Sequence, residues 1–255
     1  MPESFLRSSA LFHTLTVGHG TLTAGAHRGK LVQEFRDLAS DFTLPTNFST
    51  STMYGSLEIT SSQPVSVLAL RVTVNQRGDV FLTSTPVADL SKALTNTEVY
   101  FPQLVDGGGY TTTVILLNTS AATETGTITI FDNSGAPLTV TSNGTTASTF
   151  NYSIPATGAF VFQTNGSPSS ARPGWAKVTP TSGNSPVGSG IFSYSPGGML
   201  VTESGVPSAV PTTKARVYVD KSKGHDTGLA LANPGAAATV TLRTFQTDGS
   251  TVAGN

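Results

Sequence analysis

The sequence contains no cysteine. That excludes disulfide staples, thiolate zinc sites, thiol nucleophiles and iron–sulfur clusters. Charge is scarce too: 11% of the 255 residues are charged, where about 25% is ordinary for a soluble domain. The 14 basic and 15 acidic residues leave a formal net charge of −1, so the basic stripe that nucleic-acid binding needs is missing. No run of about 18 apolar residues occurs, so nothing reads as a membrane-spanning helix. The opening Met1-Pro2-Glu3-Ser4-Phe5-Leu6-Arg7 lacks the basic-then-apolar order of a secretory signal. With so little charge, the expectation is an extracellular or cell-surface protein whose leader has been removed, or a piece of a longer product.

What is present is a run of short alternating segments punctuated by Gly, Pro, Asn and Asp. They include Ser56–Ile59, Val65–Val74, Val80–Leu82, Thr111–Leu117, Thr127–Phe131, Ala159–Gln163, Ala176–Val178, Gly228–Ala232 and Thr239–Phe245. Val, Ile, Thr and Phe at period two between turn residues predict an all-β sandwich architecture. Gln76-Arg77-Gly78, Asn133-Ser134-Gly135 and Thr247-Asp248-Gly249 predict hairpin turns, with glycine supplying the positive φ. Lys30–Ala39, with Leu31, Phe35 and Leu38 on one face, is the one helix candidate. Its first half reads equally well as a strand.

The chain repeats itself. Gly55-Ser56-Leu57-Glu58-Ile59-Thr60 matches Gly174-Trp175-Ala176-Lys177-Val178-Thr179, and Gln63-Pro64-Val65 matches Ser185-Pro186-Val187. Val80–Thr83 matches Met199–Thr202, and Glu98–Phe101 matches Ala215–Tyr218. Thr113–Asn118 matches Thr227–Asn233, and Ile128–Gly135 matches Leu242–Gly249. Six blocks recur in the same order at a spacing of roughly 114 to 122 residues, which suits one sandwich of about 100 residues per repeat. A partial third copy stands at the front, where Leu22–Gly25 and Lys30–Phe35 resemble Ile154–Gly158 and Ala159–Gln163.

The predicted organisation is therefore an N-terminal segment over 1–53, a complete sandwich module over 54–170, and a second module over 171–255 lacking its last strands. Strands of the missing type stand at the front of the chain. Three readings stay open: a fragment of a longer array, fold-back within one molecule, or insertion into the next molecule by donor-strand complementation. On the last reading Leu22, Leu31, Val32 and Phe35 are the donor side chains, and the partners are copies of the same chain.

The stretch Val99–Thr112, with its Asp106-Gly107-Gly108-Gly109-Tyr110, resembles modules repeated in large secreted proteins of soil and thermal bacteria. So does Gly174–Val178, followed by Ile191–Tyr194 and Glu203–Pro207. The resemblance implies tandem immunoglobulin-like β-sandwiches, an extracellular setting and no catalytic residues. The second unit departs from it, reading Lys223-Gly224-His225-Asp226-Thr227 where the first has its glycine loop.

Chemistry-bearing motifs are few. Nucleophile elbows, phosphate-binding loops and dinucleotide fingerprints are absent, and Gly107-Gly108-Gly109 reads as a turn between strands. His13, His19, His27 and His225 form no metal-ligand pattern. Asp106 and Asp132 sit in turns that they themselves stabilise, without the regular oxygen spacing of a calcium loop. No enzyme activity, metal or cofactor is expected. Trp175 and Tyr194 are the candidate sugar-stacking rings. Trp175 falls where the first unit has Ser56, so the fold does not demand its ring. The expected function is structural or adhesive, with head-to-tail polymerisation by strand exchange. The alternative is a carbohydrate-binding or adhesion module that meets a surface polysaccharide. Sequons stand at Asn47, Asn118, Asn143 and Asn151.

Overall fold

The computed structural model describes residues 18–37, 44 and 54–250. Strands make up 38% of the chain, no α-helix occurs among the described residues, and every named sheet is antiparallel. Two units separate, Met1–Leu57 and Glu58–Asn255. His13, the sequon at Asn47, the end of the helix candidate at Leu38 and most of the 1–53 segment lie outside the described residues.

In the first unit a turn at Thr23–Ala26 is closed by Ala26 N donating to Thr23 O. A 3-10 helix then covers Val32–Asp37. The strand reading of Lys30–Phe35 is therefore corrected. The cause is local: Leu31 N donates to Glu34 Oε2 at 3.0 Å while Glu34 N donates to Leu31 O at 2.8 Å, a reciprocal clasp that closes the first turn. Leu22, Leu31 and Val32 are exposed and Phe35 is half-buried.

In the second unit the strands run β1 Leu70–Val74, β2 Val80–Ser84, β3 Val99–Asp106, β4 Tyr110–Leu117, β5 Glu124–Asp132, β6 Val140–Ser142, β7 Thr145–Ala147, β8 Thr149–Ile154, β9 Ala159–Gln163, β10 Arg172–Ser182, β11 Val187–Tyr194 and β12 Thr202–Pro207. Two four-stranded sheets, ordered β3-β10-β5-β8 and β12-β11-β4-β9, enclose one core. The expected break at 170/171 falls inside this sandwich. β10 lies between β3 and β5, and β11 lies between β12 and β4. The closed sandwich runs from 99 to 207.

The alternation of β5 shows why the chain folds this way. Ile128 and Ile130 are fully buried with Val114, Leu116, Leu104 and Phe101, while Thr125, Thr127 and Thr129 face outward. Each buried aliphatic contributes about 1.5–3 kcal/mol relative to exposure. Glycine admits the large rings: a Cβ at Gly188 would stand 2.8 Å from the Phe101 ring. Asn143-Gly144, with φ of 48° and 77°, makes the two-residue turn between β6 and β7. Asn118 is buried, and its amide donates to Ala122 O, Ile154 O and Pro155 O while its oxygen accepts from Ser120. Its sequon is therefore spent on the β4–β5 corner and is not presented to solvent.

One inward position is anomalous. Glu124, at the start of β5, is fully buried and neither carboxylate oxygen has a hydrogen-bond partner. Ser120 Oγ gives it little relief, because that hydroxyl is committed to Asn118 Oδ1 and Ala122 O. The neighbouring Tyr152 hydroxyl is also buried and unpartnered, and burial followed by the charge of Glu124 raises it to about 12. Burial pushes the Glu124 carboxyl above its ordinary value of 4.5. A raised acid destabilises the fold once pH exceeds the unfolded value, and the penalty grows until the folded value is passed. Glu124→Gln should therefore match the parent near about pH 4 and be more stable at pH 7 by about 1–3 kcal/mol. Urea denaturation at the two pH values measures this; equal stabilities at both would refute the assignment.

Candidate functional site

The feature of this molecule that the core does not explain is a third layer. The β1–β2 hairpin forms its own two-stranded sheet and packs against β12. Arg71, Thr73, Phe81 and Thr83 share one face by register, and Thr83 on that face is buried. It meets Glu203, whose side chain is buried. Thr73 Oγ1 donates to Oε1 at 3.2 Å, Ser193 Oγ donates to Oε2 at 3.2 Å, and Arg71 approaches Oε2 at 3.5 Å. A Cβ at Gly205 would run into the Ser84 carbonyl oxygen, so glycine there lets the hairpin approach. Asn75 Nδ2 donates to Leu200 O at 2.9 Å and pins the hairpin's turn. A cleft of about 350 Å³ opens at this joint, lined largely by Leu68, Pro86, Val87, Val187 and Pro207.

The opposite face of the hairpin is uncovered. Leu70, Val72, Val74, Val80 and Leu82 are all exposed, and β1 has no named strand on its outer edge. Five aliphatic side chains on one sheet face with an open edge form a sticky surface by any ordinary standard.

A second uncovered surface lies beyond β12. Ala209 and Tyr100 exchange backbone hydrogen bonds, which caps the edge of β3. No named strand follows among the described residues, so Gly228–Ala232 and Thr239–Phe245 are not the strands that the sequence predicts; Phe245 carries an isolated bridge. Their turns nonetheless copy those of the sandwich. Thr112 Oγ1 donates to Val105 O and accepts from Val105 N, seven residues away. Thr227 Oγ1 makes the same pair of bonds with Asp220, also seven residues away. Tyr110 N donates to Gly107 O, and His225 N donates to Ser222 O. Gly108 and Gly109 have φ of 61° and 89°, and Lys223 and Gly224 have 47° and 83°. Asn118 and Asn233 each donate to a following alanine carbonyl at 2.7 Å. The side chains, by contrast, reverse their environment. Phe101, Val114 and Leu116 are at most 1% exposed, while their counterparts Tyr218, Leu229 and Leu231 are 82%, 52% and 64% exposed.

The aromatic candidates do not converge. Trp175 stands on β10 and Tyr194 on β11, in different sheets. Trp175 stacks on Phe131 at 4.3 Å and meets Tyr100 at 6.4 Å, so its neighbours are already aromatic. Tyr100 in turn donates to Glu98, and burial followed by this carboxylate raises its pKa to about 12. The trio ties β3, β10 and β5 together on the outer face of their sheet, with the Lys177–Glu98 ion pair beside it. Tyr194 stacks on Tyr110 at 4.4 Å next to Gly109. Asp106 is buried and occupied by Arg172 at 2.6 Å and by Gly166 N. Asp132 accepts from its own turn at Ser134 and Ala136. Among the described residues no cluster of three potential metal ligands occurs.

The hairpin joint makes a direct prediction. Glu203→Ala removes the buried acceptor of Thr73 and Ser193 and should weaken the joint by about 1.5–3 kcal/mol. Hydrogen exchange should accelerate across residues 70–84 and stay slow in β4, β5 and β10. Uniform loosening of both regions would show that the hairpin is not a separate layer.

Comparison with family models, curated proteins and solved structures returned no match for this chain.

Proposed function

We propose that this protein is an extracellular structural or adhesive repeat protein, built from tandem immunoglobulin-like β-sandwiches that associate head to tail by exchanging strands. The observation that carries the reading is the pair of uncovered surfaces on either side of one closed sandwich. One is the apolar hairpin face at 70–82, and the other is the apolar stretch from 217 to 245. The second is a sequence copy of strands that are buried inside the sandwich.

The immunoglobulin-like comparison has topological support. In the sandwich β4 pairs with β9 and β5 with β10, with β8 on the far side of β5. That reproduces the B–E and C–F pairs that interlock the two sheets of an immunoglobulin domain. β3 departs from the pattern, because it flanks β10 where the last strand of that domain would lie. The recurring turn bonds at 105–112 and 220–227 favour a second module that begins near 215.

Low charge and abundant Thr on the outward positions suit surfaces that meet copies of themselves. Leu22, Leu31, Val32 and Phe35 belong to this reading as donor side chains. The first three are exposed, and the 3-10 turn at Val32–Asp37 must open before the segment can serve as a strand.

Negative-stain electron microscopy of the purified chain should show regular fibres whose axial repeat equals one subunit. Deleting residues 1–40 should stop fibre growth while the 99–207 sandwich keeps its cooperative unfolding. A truncated chain that still makes normal fibres would rule out the 22–35 segment as donor. A chain that stays monomeric at all concentrations would sink the head-to-tail reading.

A further inference from the structure

We infer that Asn143-Gly144, the turn between β6 and β7, is a self-modification site: the amide nitrogen of Gly144 attacks the Asn143 side chain, and the asparagine becomes aspartate or isoaspartate without an enzyme. The substrate is the chain itself and the co-reactant is water. The inference stands apart from the head-to-tail reading and survives its failure.

The sequence holds two Asn-Gly dipeptides, Asn143-Gly144 and Asn165-Gly166. Glycine after asparagine favours the reaction because no side chain stands beside the attacking nitrogen. The structure treats the two dipeptides differently. Asn143 and Gly144 are both exposed, and a Cβ at Gly144 would meet nothing within 4 Å. Their φ values of 48° and 77° make a two-residue turn whose flanking pair is Ser142 and Thr145. The sheet ladder therefore makes no use of the Gly144 N–H. Among the described residues nothing accepts from that N–H, and nothing bonds the Asn143 carboxamide. Both reacting groups stand free in water.

Asn165-Gly166 is the internal control. Gly166 N donates to Asp106 Oδ1 at 3.0 Å, and Asp106 is buried and paired with Arg172 at 2.6 Å. Asn165 Oδ1 accepts from Ser167 N at 3.0 Å, and Asn165 N donates to Thr141 O at 2.9 Å. A Cβ at Gly166 would stand 2.8 Å from Tyr110 O, so backbone also crowds this glycine. Attack here requires the nitrogen to leave a carboxylate and the side chain to leave its own turn. A hydrogen bond to a charged group is strong enough to slow such a step about tenfold or more.

The bonds balance with no oxidant or reductant. Hydroxide takes the proton of Gly144 N, the nitrogen bonds to Cγ of Asn143, and the Cγ–Nδ2 bond breaks. Ammonia leaves with a proton from water, and a five-membered imide remains. Water then opens the imide. Addition at Cγ gives aspartate, and addition at the main-chain carbonyl gives isoaspartate, whose backbone runs through Cγ and is one carbon longer. The longer backbone disturbs the two-residue turn and the register Val140↔Ala147, Thr141↔Thr146 and Ser142↔Thr145, and Val140 belongs to the core. Either product is an acid. From Asn133 to Ala171 the chain has no charged residue, and this stretch supplies β8 and β9, the outer strands of the two sheets. Charged side chains are one means of keeping sheet edges from pairing with other molecules, and the reaction gives the stretch its first.

The test holds the full chain at mildly alkaline pH, one sample folded and one in urea. Chymotrypsin, cutting after Leu138, Phe150, Phe162 and Trp175, puts the two dipeptides on separate peptides. Mass spectrometry of the folded sample should show conversion at 143 at least about tenfold faster than at 165. In urea the two positions should convert at similar rates, because the bonds that protect Asn165-Gly166 are gone. Full-length Gly144→Ala, also in urea where its folding does not matter, should convert more slowly at 143 and unchanged at 165. Hydrogen exchange in the aged, refolded parent should accelerate across 140–147. Equal rates at both positions in the folded chain, or conversion at 143 in urea alone, would overturn the inference.

Discussion

A strand in this protein needs a neighbour on its edge, and a buried apolar face needs a second layer over it as well. The same sequence motif demonstrates this twice. Tyr110–Leu117 is a strand between β11 and β9 with Val114 and Leu116 sealed from water. Its copy ending at Asn233 keeps the threonine clasp and the asparagine turn but forms no strand, and Leu229 and Leu231 stay in solvent. Turn bonds span a few residues and form wherever the local sequence permits them. Ladder bonds and burial need partners far away along the chain, and a two-stranded ribbon or a lone segment is marginal in water without them. Everything else in the molecule follows from where that requirement is met.

Within residues 99–207 it is met completely. The interlocked pairs β4–β9 and β5–β10 place one strand of each consecutive pair in each sheet, so neither sheet can leave without unpairing the other. Glycine at 126, 174 and 188 opens room for rings and carbonyl groups that a Cβ would displace. Aromatic stacking of Phe131, Trp175 and Tyr100 fastens three strands from outside. Glu124 is the exception to this economy: it is buried and neither carboxylate oxygen has a hydrogen-bond partner. Glu203 contrasts with it, because its buried carboxylate is fully engaged by Arg71, Thr73 and Ser193. One buried acid is unpaired in the core, and the other holds a separate layer in place.

Outside the sandwich the requirement is half met. The hairpin β1–β2 has a partner for one face and none for the other. Among the described residues, 217–245 hold turns, a bridge at Phe245 and no named strand. An apolar face and an open edge of this kind are what the proposed strand exchange would use. The rings first considered for sugar stacking lie in different sheets, Trp175 against Phe131 and Tyr194 against Tyr110.

Much of this was legible in residues alone. Period-two alternation located β4, β5 and β9 to within a few residues, and glycine in the right places marked the turns at 75–79, 132–136 and 246–250. The repeat gave the period, because matched side-chain patterns are a local property that survives any choice of starting point. Tertiary structure decided the phase. Whether β10 closes the sandwich that begins at β3, or opens the next one, depends on long-range pairing of Gly174–Val178 with both β3 and β5, to which no short window of sequence is sensitive. The same holds for Lys30–Phe35, which reads equally as helix or strand and takes a 3-10 turn over Val32–Asp37, where Glu34 bonds back to Leu31. Sequence by itself fixed the vocabulary of strands and turns, since these are set by side-chain alternation and backbone sterics. Which strands share a sheet, and which copies remain uncovered, was settled only by the competition for edges and core in three dimensions.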